Sequence, residues 1–206
     1  MWLVSGVVLS RVDGLLFLGL AEGKSFVNSR KRLLTCGSLG HFGVQYARAM
    51  GMRVIAIDGG DAKRELCMKL GAEAFIDFTT TTDIPAEVTK ITSYGAHGVI
   101  VFSATKAGYE QAPLMLRPGG TMVCVGLPKD TTVIAGAHPI MMCMKKLNVV
   151  GSVVGTLKEC DEALDFTARG LVRPILTHGG LEDINRFCEE MNAGKLVGRA
   201  VIKIAA

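Results

Sequence analysis

The sequence predicts an α/β fold, a doubly wound parallel sheet with helices on both faces, and three observations predict it. From about Leu33 onward, apolar runs of strand length alternate with stretches of helical spacing, the order that builds a parallel sheet. Gly98-Val-Ile-Val-Phe-Ser103 is a near-continuous apolar run, as expected of a strand covered on both sides. Twenty-five glycines against 8 Phe, 3 Tyr and 1 Trp suit a fold with many tight strand-to-helix turns.

The elements can be justified in order. Leu33 to Cys36 reads as a short first strand behind a basic lead-in from Asn28 to Arg32. Phe42, Val44, Ala47 and Met50 recur at helical spacing, so Gly40 to Met50 is a helix. Arg53 to Asp58 is the second strand, and Ala62 to Leu70 a helix closed by Gly71. Ala74 to Phe78 is the third strand, followed by a helix from Asp83 to Ile91 in which Pro85 occupies the first turn, where its missing amide costs nothing. Gly98 to Ser103 is the fourth strand and Lys106 to Leu116 a helix. Pro118-Gly119-Gly120 then reads as a turn into a fifth strand, Thr121 to Val125. A connection with Pro128, Gly136 and Pro139 leads to a short helix, Met141 to Lys145, and to a sixth strand, Leu147 to Val154. Lys158 to Ala168 is a further helix. The remainder (Val172 to Leu176, a helix from Leu181 to Met191, Leu196 to Ile204) breaks the alternation and reads as an extension packing on another surface. Three parts result: an atypical segment over residues 1–32, the sheet domain over 33–170, and a C-terminal segment over 171–206.

Composition narrows the function classes. Apolar residues make up 49% and charged residues 20% of 206 residues, enough for one sizeable core. The net charge of +4 is spread out, and Arg30-Lys31-Arg32 is its one short run, so no nucleic-acid partner is expected. Six cysteines lie apart, without a C-x-x-C pair or a neighbouring histidine. That spacing argues against structural zinc and against a disulfide scaffold, and the expected compartment is the cytoplasm. Arg11 and Asp13 interrupt the apolar first 22 residues, so neither a signal peptide nor a membrane span is expected.

The chemistry-bearing stretch is Cys36 to Gly60. Gly37, Gly40 and Gly43 punctuate CGSLGHFG ahead of a helix, and Asp58 closes the next strand 21 residues after Gly37. A glycine-rich turn, a helix and an acidic strand end form a unit that holds a dinucleotide. Glycines let the pyrophosphate approach the helix-start amides, and the carboxylate accepts the ribose hydroxyls. The strict spacing G-x-G-x-x-G is not met, because Ser38 stands at its first glycine. Each residue also has a plainer role: packing glycines, a turn aspartate in Asp-Gly-Gly, and for Lys63 a solvated helix lysine. His41 reads as a spacer, and His97, His138 and His178 as structural or surface residues. Met141, Met142, Cys143 and Met144 read as filler. A short-chain dehydrogenase would need Tyr-x-x-x-Lys, but Tyr46, Tyr94 and Tyr109 are followed at that spacing by Met50, Gly98 and Pro113. A methyltransferase would share the glycine loop, and LRPGG faintly suits it, but the C-terminal pattern does not.

With these residues in view, the chain resembles the zinc-type medium-chain alcohol dehydrogenases, particularly the fungal tetrameric kind. The likeness runs from about Gly37 to Ile204 through SLGHFGVQYARAMGMRVIAIDGG, GAEAFIDF, GAHGVIVFSA, LRPGGTMVCVGLP, NVVGSVVGT, EALDFTARGLVRP and GKLVGRAVI. The resemblance implies an NAD-binding Rossmann domain followed by a segment that returns to a separate catalytic domain. It implies that Gly37, Ser38, Leu39 and Gly40 face the pyrophosphate, and that Asp58 binds the adenosine ribose and favours NAD over NADP. Lys63 is implied beside the same ribose and Phe78 at the adenine. Val125, Leu127, Ser152 and Val154 would line the nicotinamide half, with Arg199 reaching the phosphates.

Two departures bear on function. Leu34 and Ser38 stand at glycines of the family fingerprint. The family's zinc ligands, proton relay and four-cysteine lobe lie upstream of the sheet domain, and residues 1 to about 35 resemble none of them. The expectation is therefore the cofactor-binding part of an NAD-dependent alcohol dehydrogenase, with no catalytic residue, no metal ligand and no turnover of its own. Its expected partners are NAD, a small alcohol or aldehyde, and further copies of the chain in a homo-oligomer. The alternative is a catalytically silent nucleotide-binding or subunit-interaction module.

Overall fold

A computed structural model describes residues 31–34, 39–193, 196 and 198–204. Six parallel strands form the main sheet in the order β3-β2-β1-β4-β5-β6. In chain order these are β1 Lys31–Leu34, β2 Arg53–Asp58, β3 Ala74–Asp77, β4 Ala96–Val101, β5 Leu116–Cys124 and β6 Asn148–Gly151. Helices α1 Gly40–Ala49, α2 Asp61–Leu70, α3 Ile84–Thr92, α4 Lys106–Gln111, α5 Pro139–Lys145 and α6 Leu157–Ala168 connect or follow them. The sheet is the doubly wound parallel one expected.

Strand periodicity sends alternate side chains to opposite faces, and two cores result. Val54, Ala56, Ile100 and Val123 pack with Val44 and Ala47 of α1 and Cys67 of α2. Ile55, Val99, Val101 and Met122 pack on the other face with Val88 of α3 and with Ala112 and Met115. Helix ends follow local chemistry. The Asp83 carboxylate caps α3 by accepting from the Ala86 amide at 2.9 Å. Thr156 and Glu159 cap α6 reciprocally, and Gly71 ends α2 at φ 104°.

Several boundaries differ from expectation. The first strand begins at Lys31, since the backbone of the basic run pairs with Arg53 and Val54. The helix expected from Lys106 to Leu116 stays α-helical only to Gln111 and gives way to a 3-10 turn over Ala112–Met115, with Pro113 in its first turn. Pro118 to Gly120 is a bulge inside β5: Ala96 pairs with Leu116 and Gly98 with Thr121, leaving one residue opposite four. The sixth strand is only Asn148–Gly151, because pairing with β5 stops where Cys124 meets Gly151. The tail does not abandon strand-helix alternation. β7 Leu176–Gly179 and β8 Arg199–Ile202 pair in parallel, with α7 Ile184–Asn192 between them. Four-residue strands are too short to reveal themselves by period two; only their pairing does. Cys67, fully buried, is disulfide-bonded, while Cys124, Cys143, Cys160 and Cys188 are free. No described helix is long and apolar enough to cross a membrane.

Candidate functional site

The strand order reverses direction between β1 and β4: α1 leads out to β2 on one side, and α3 returns across to β4 on the other. In open α/β sheets the ligand crevice lies at the carboxyl ends of the strands flanking such a reversal. Asp58, Phe78, Val125, Leu127, Ser152 and Val154 fall at or just past the carboxyl ends of β2, β3, β5 and β6.

On the β2 side the geometry is dense. Asp58 is the last residue of β2 and only 5% exposed. Its Oδ1 accepts from Lys63 Nζ at 2.7 Å and from the Gly59 amide at 2.9 Å. Lys63 is thus no freely solvated lysine: α2 begins at Asp61 and carries it back over the strand end. Asp77, missed in the sequence, pairs in register with Asp58. Its Oδ2 accepts from the Gly60 amide at 3.1 Å, and its Oδ1 from the Thr79 amide and hydroxyl at 2.9 and 2.6 Å. The Thr79 hydroxyl first, then these backbone donors, hold its carboxyl below the usual carboxylate range. Asp77 therefore moulds the Asp58-Gly59-Gly60 turn from the next strand. Phe78 follows β3, its amide donating to the Asp58 carbonyl at 3.2 Å. Its ring lies so close over Gly59 that a β-carbon there would sit 3.0 Å from Phe78 Cζ.

At the start of α1, Leu39 is the N-cap residue and offers no side-chain cap, and the first turn holds no acidic residue. A helix terminus of this kind favours an anion. Gly40 is buried there. Gly37 and Ser38 lie outside the described residues.

On the far side, three backbone bonds seal the strand ends. The Val125 and Gly126 amides donate to the Val101 carbonyl at 3.1 and 2.8 Å, and the Ser152 amide to the Cys124 carbonyl at 2.9 Å. The Tyr109 hydroxyl donates to the Gly126 carbonyl. A cavity of about 390 Å³ opens here, lined by Tyr109, Cys124, Leu127, Pro128, Ser152 and Val153 among others. Burial pushes both the Cys124 thiol and the Tyr109 hydroxyl up, so neither is charged near neutrality. Leu127 and Ser152 line this cavity; Val125 and Val154 are not among its walls, and Val154 is 68% exposed. Arg199 opens β8, its amide donating to the Ile175 carbonyl at 2.9 Å. His41 is fully buried, with Nε2 accepting from the Ile175 amide at 3.4 Å. The described residues contain no group of three or more His, Cys, Asp or Glu that could hold a metal ion, so they do not fit a zinc centre.

A family model described as zinc-binding dehydrogenase matches residues 38–169, and the chain belongs to that family. It is 43% identical over 166 residues to alcohol dehydrogenase 2 of Caenorhabditis elegans, covering 81% of this chain and 46% of the relative. Alcohol dehydrogenase 1 of Emericella nidulans is 39% identical over 170 residues, covering 82% and 48%. The chain thus spans about half the length of the curated relatives it matches. Among solved structures, the alcohol dehydrogenase of the hyperthermophilic archaeon Aeropyrum pernix superposes with a TM-score of 0.78 at 26% identity, over 85% of this chain and 50% of the other.

Proposed function

We propose that this chain is the cofactor-binding part of an NAD-dependent alcohol dehydrogenase. The observation that carries the reading is the Asp58–Lys63 pair at the end of β2, at 2.7 Å and largely buried, inside a chain of the zinc-binding dehydrogenase family. Asp58 would accept the two adenosine ribose hydroxyls and repel a 2′-phosphate, with Lys63 steadying the carboxylate. The amides at Leu39 and Gly40, with Gly37 and Ser38 before them, would meet the pyrophosphate, and Arg199 would neutralise it. Phe78 would border the adenine; Val125, Leu127, Ser152 and Val154 would border the nicotinamide. Bound NAD would supply the hydride acceptor for a small alcohol, and bound NADH, in reverse, the hydride donor for an aldehyde.

The described residues bring together no group of three or more His, Cys, Asp or Glu that could hold a metal ion, which favours assigning this chain the holding of the cofactor rather than activation of the alcohol. The same observation supports the alternative, a silent nucleotide-binding or subunit-interaction module docking on copies that carry the missing chemistry. Titration of NADH fluorescence with the 206-residue chain tests the site. Saturable enhancement is expected, weakened about a hundredfold in Asp58→Ala, which removes two charge-assisted hydrogen bonds; no saturable change in the wild type defeats the reading. Ethanol-dependent NADH formation with bound zinc would defeat the silent-module alternative.

A further inference from the structure

Gln45 stands on α1 one turn beyond His41, and its side chain is used on all sides. Its Nε2 donates to the Arg173 carbonyl and to the His41 carbonyl, each at 3.0 Å, and its Oε1 accepts from the Arg173 amide at 2.9 Å. One side chain thereby satisfies both backbone groups of a residue 128 positions away, as a neighbouring strand would. His41 takes the Ile175 amide two residues on, and between them Pro174 has no amide to satisfy. The next link is backbone: the Ile175 carbonyl accepts from the Arg199 amide at 2.9 Å, where β8 begins beside β7. A continuous line of hydrogen bonds thus runs from the first two turns of α1 through Arg173 and Ile175 to Arg199.

We infer that Gln45, with His41 beside it, is a positioning residue that holds Arg199 in register with the pyrophosphate end of α1. The inference rests on the dinucleotide reading above. Whatever part of a phosphate-binding group must be ordered on binding subtracts from affinity. Tying the strand of Arg199 to the same helix that presents the phosphate-binding amides fixes both halves of the phosphate site before the ligand arrives. A role in stability alone would have a different signature, since it would weaken every variant equally, with or without Arg199.

A double-mutant cycle on the full 206-residue chain separates the two roles. Gln45→Leu loses two net hydrogen bonds to Arg173, and NADH should bind about tenfold more weakly. In the Arg199→Gln background the same change should cost less than about twofold, because the group it positions is gone. Gln45→Glu keeps the oxygen that accepts from the Arg173 amide but sets an acceptor against the Arg173 and His41 carbonyls, so it should also weaken binding about tenfold; it carries the cycle if Gln45→Leu does not fold. Hydrogen exchange should quicken at β7 and β8 in Gln45→Glu while β2 and β4 stay protected. Equal losses in both backgrounds, or wild-type affinity in the Gln45 variants, overturn the inference. Absence of saturable NADH binding in the wild type instead overturns the dinucleotide reading, and the inference with it.

Discussion

Asp58 and Asp77 are neighbouring carboxylates in the sheet with different work. Asp58 engages a lysine, whereas Asp77 accepts from the Thr79 amide and hydroxyl and from the Gly60 amide. The depressed Asp77 pKa makes a pH prediction. A carboxyl lowered on folding stabilises the fold above the unfolded value of about 3.9, and loses that contribution as pH falls through the folded value. Asp77→Asn should therefore melt below the wild type at neutral pH, with the gap closing below about pH 4. Differential scanning calorimetry across that range checks it, and a gap independent of pH would refute the role. Asp58 was legible because its distance from Gly37 follows from one turn, one helix and one strand. Asp77 was not, because it acts through the register of β3 on β2, which no local spacing encodes.

The strands and helices show where local rules suffice. Arg53–Asp58 was placed to the residue, since a β-branched run between Gly51 and Asp-Gly-Gly leaves little freedom. The ends of β5 and β6 were not, because there pairing decides and the bulge at Pro118–Gly120 hides a strand behind turn chemistry. Gly126 is the sharpest case of one element constraining another. A β-carbon there would overlap the Ser103 carbonyl and come within 2.8 Å of Phe102 O, both backbone atoms beyond β4. Gly126→Ala should destabilise the chain by about 2 kcal/mol through overpacking and pull the Tyr109 hydroxyl from its partner. Urea unfolding measures it, and an unchanged midpoint would show that the strand ends can spread.

At the scale of the whole molecule, apolar side chains remain uncovered on the segments that flank edge strand β6. Ile140 and Met144 on α5, with Ile134, Val154 and Leu157, are each at least 68% exposed. The backbone edge of β6 has no further strand beside it among the described residues. Scattered exposed apolar residues are ordinary, but a run of them beside an open edge marks an association surface. The chain should accordingly show a concentration-dependent mass above that of one copy by light scattering, and Met144→Lys should shift it toward the single chain. A single-chain mass throughout the micromolar range would contradict this.

The sequence by itself determined the family, the doubly wound parallel sheet, and the candidate acid at the end of β2. These follow from spacing along the chain: periodicity, turn chemistry and a glycine-to-acid interval. Only the tertiary structure decided that Lys63 pairs with Asp58, that Asp77 braces the turn, and that Gln45 binds the backbone of Arg173. Those contacts join residues brought together by strand register and helix packing, and a side chain's distant partner leaves no mark in its own neighbourhood of the sequence.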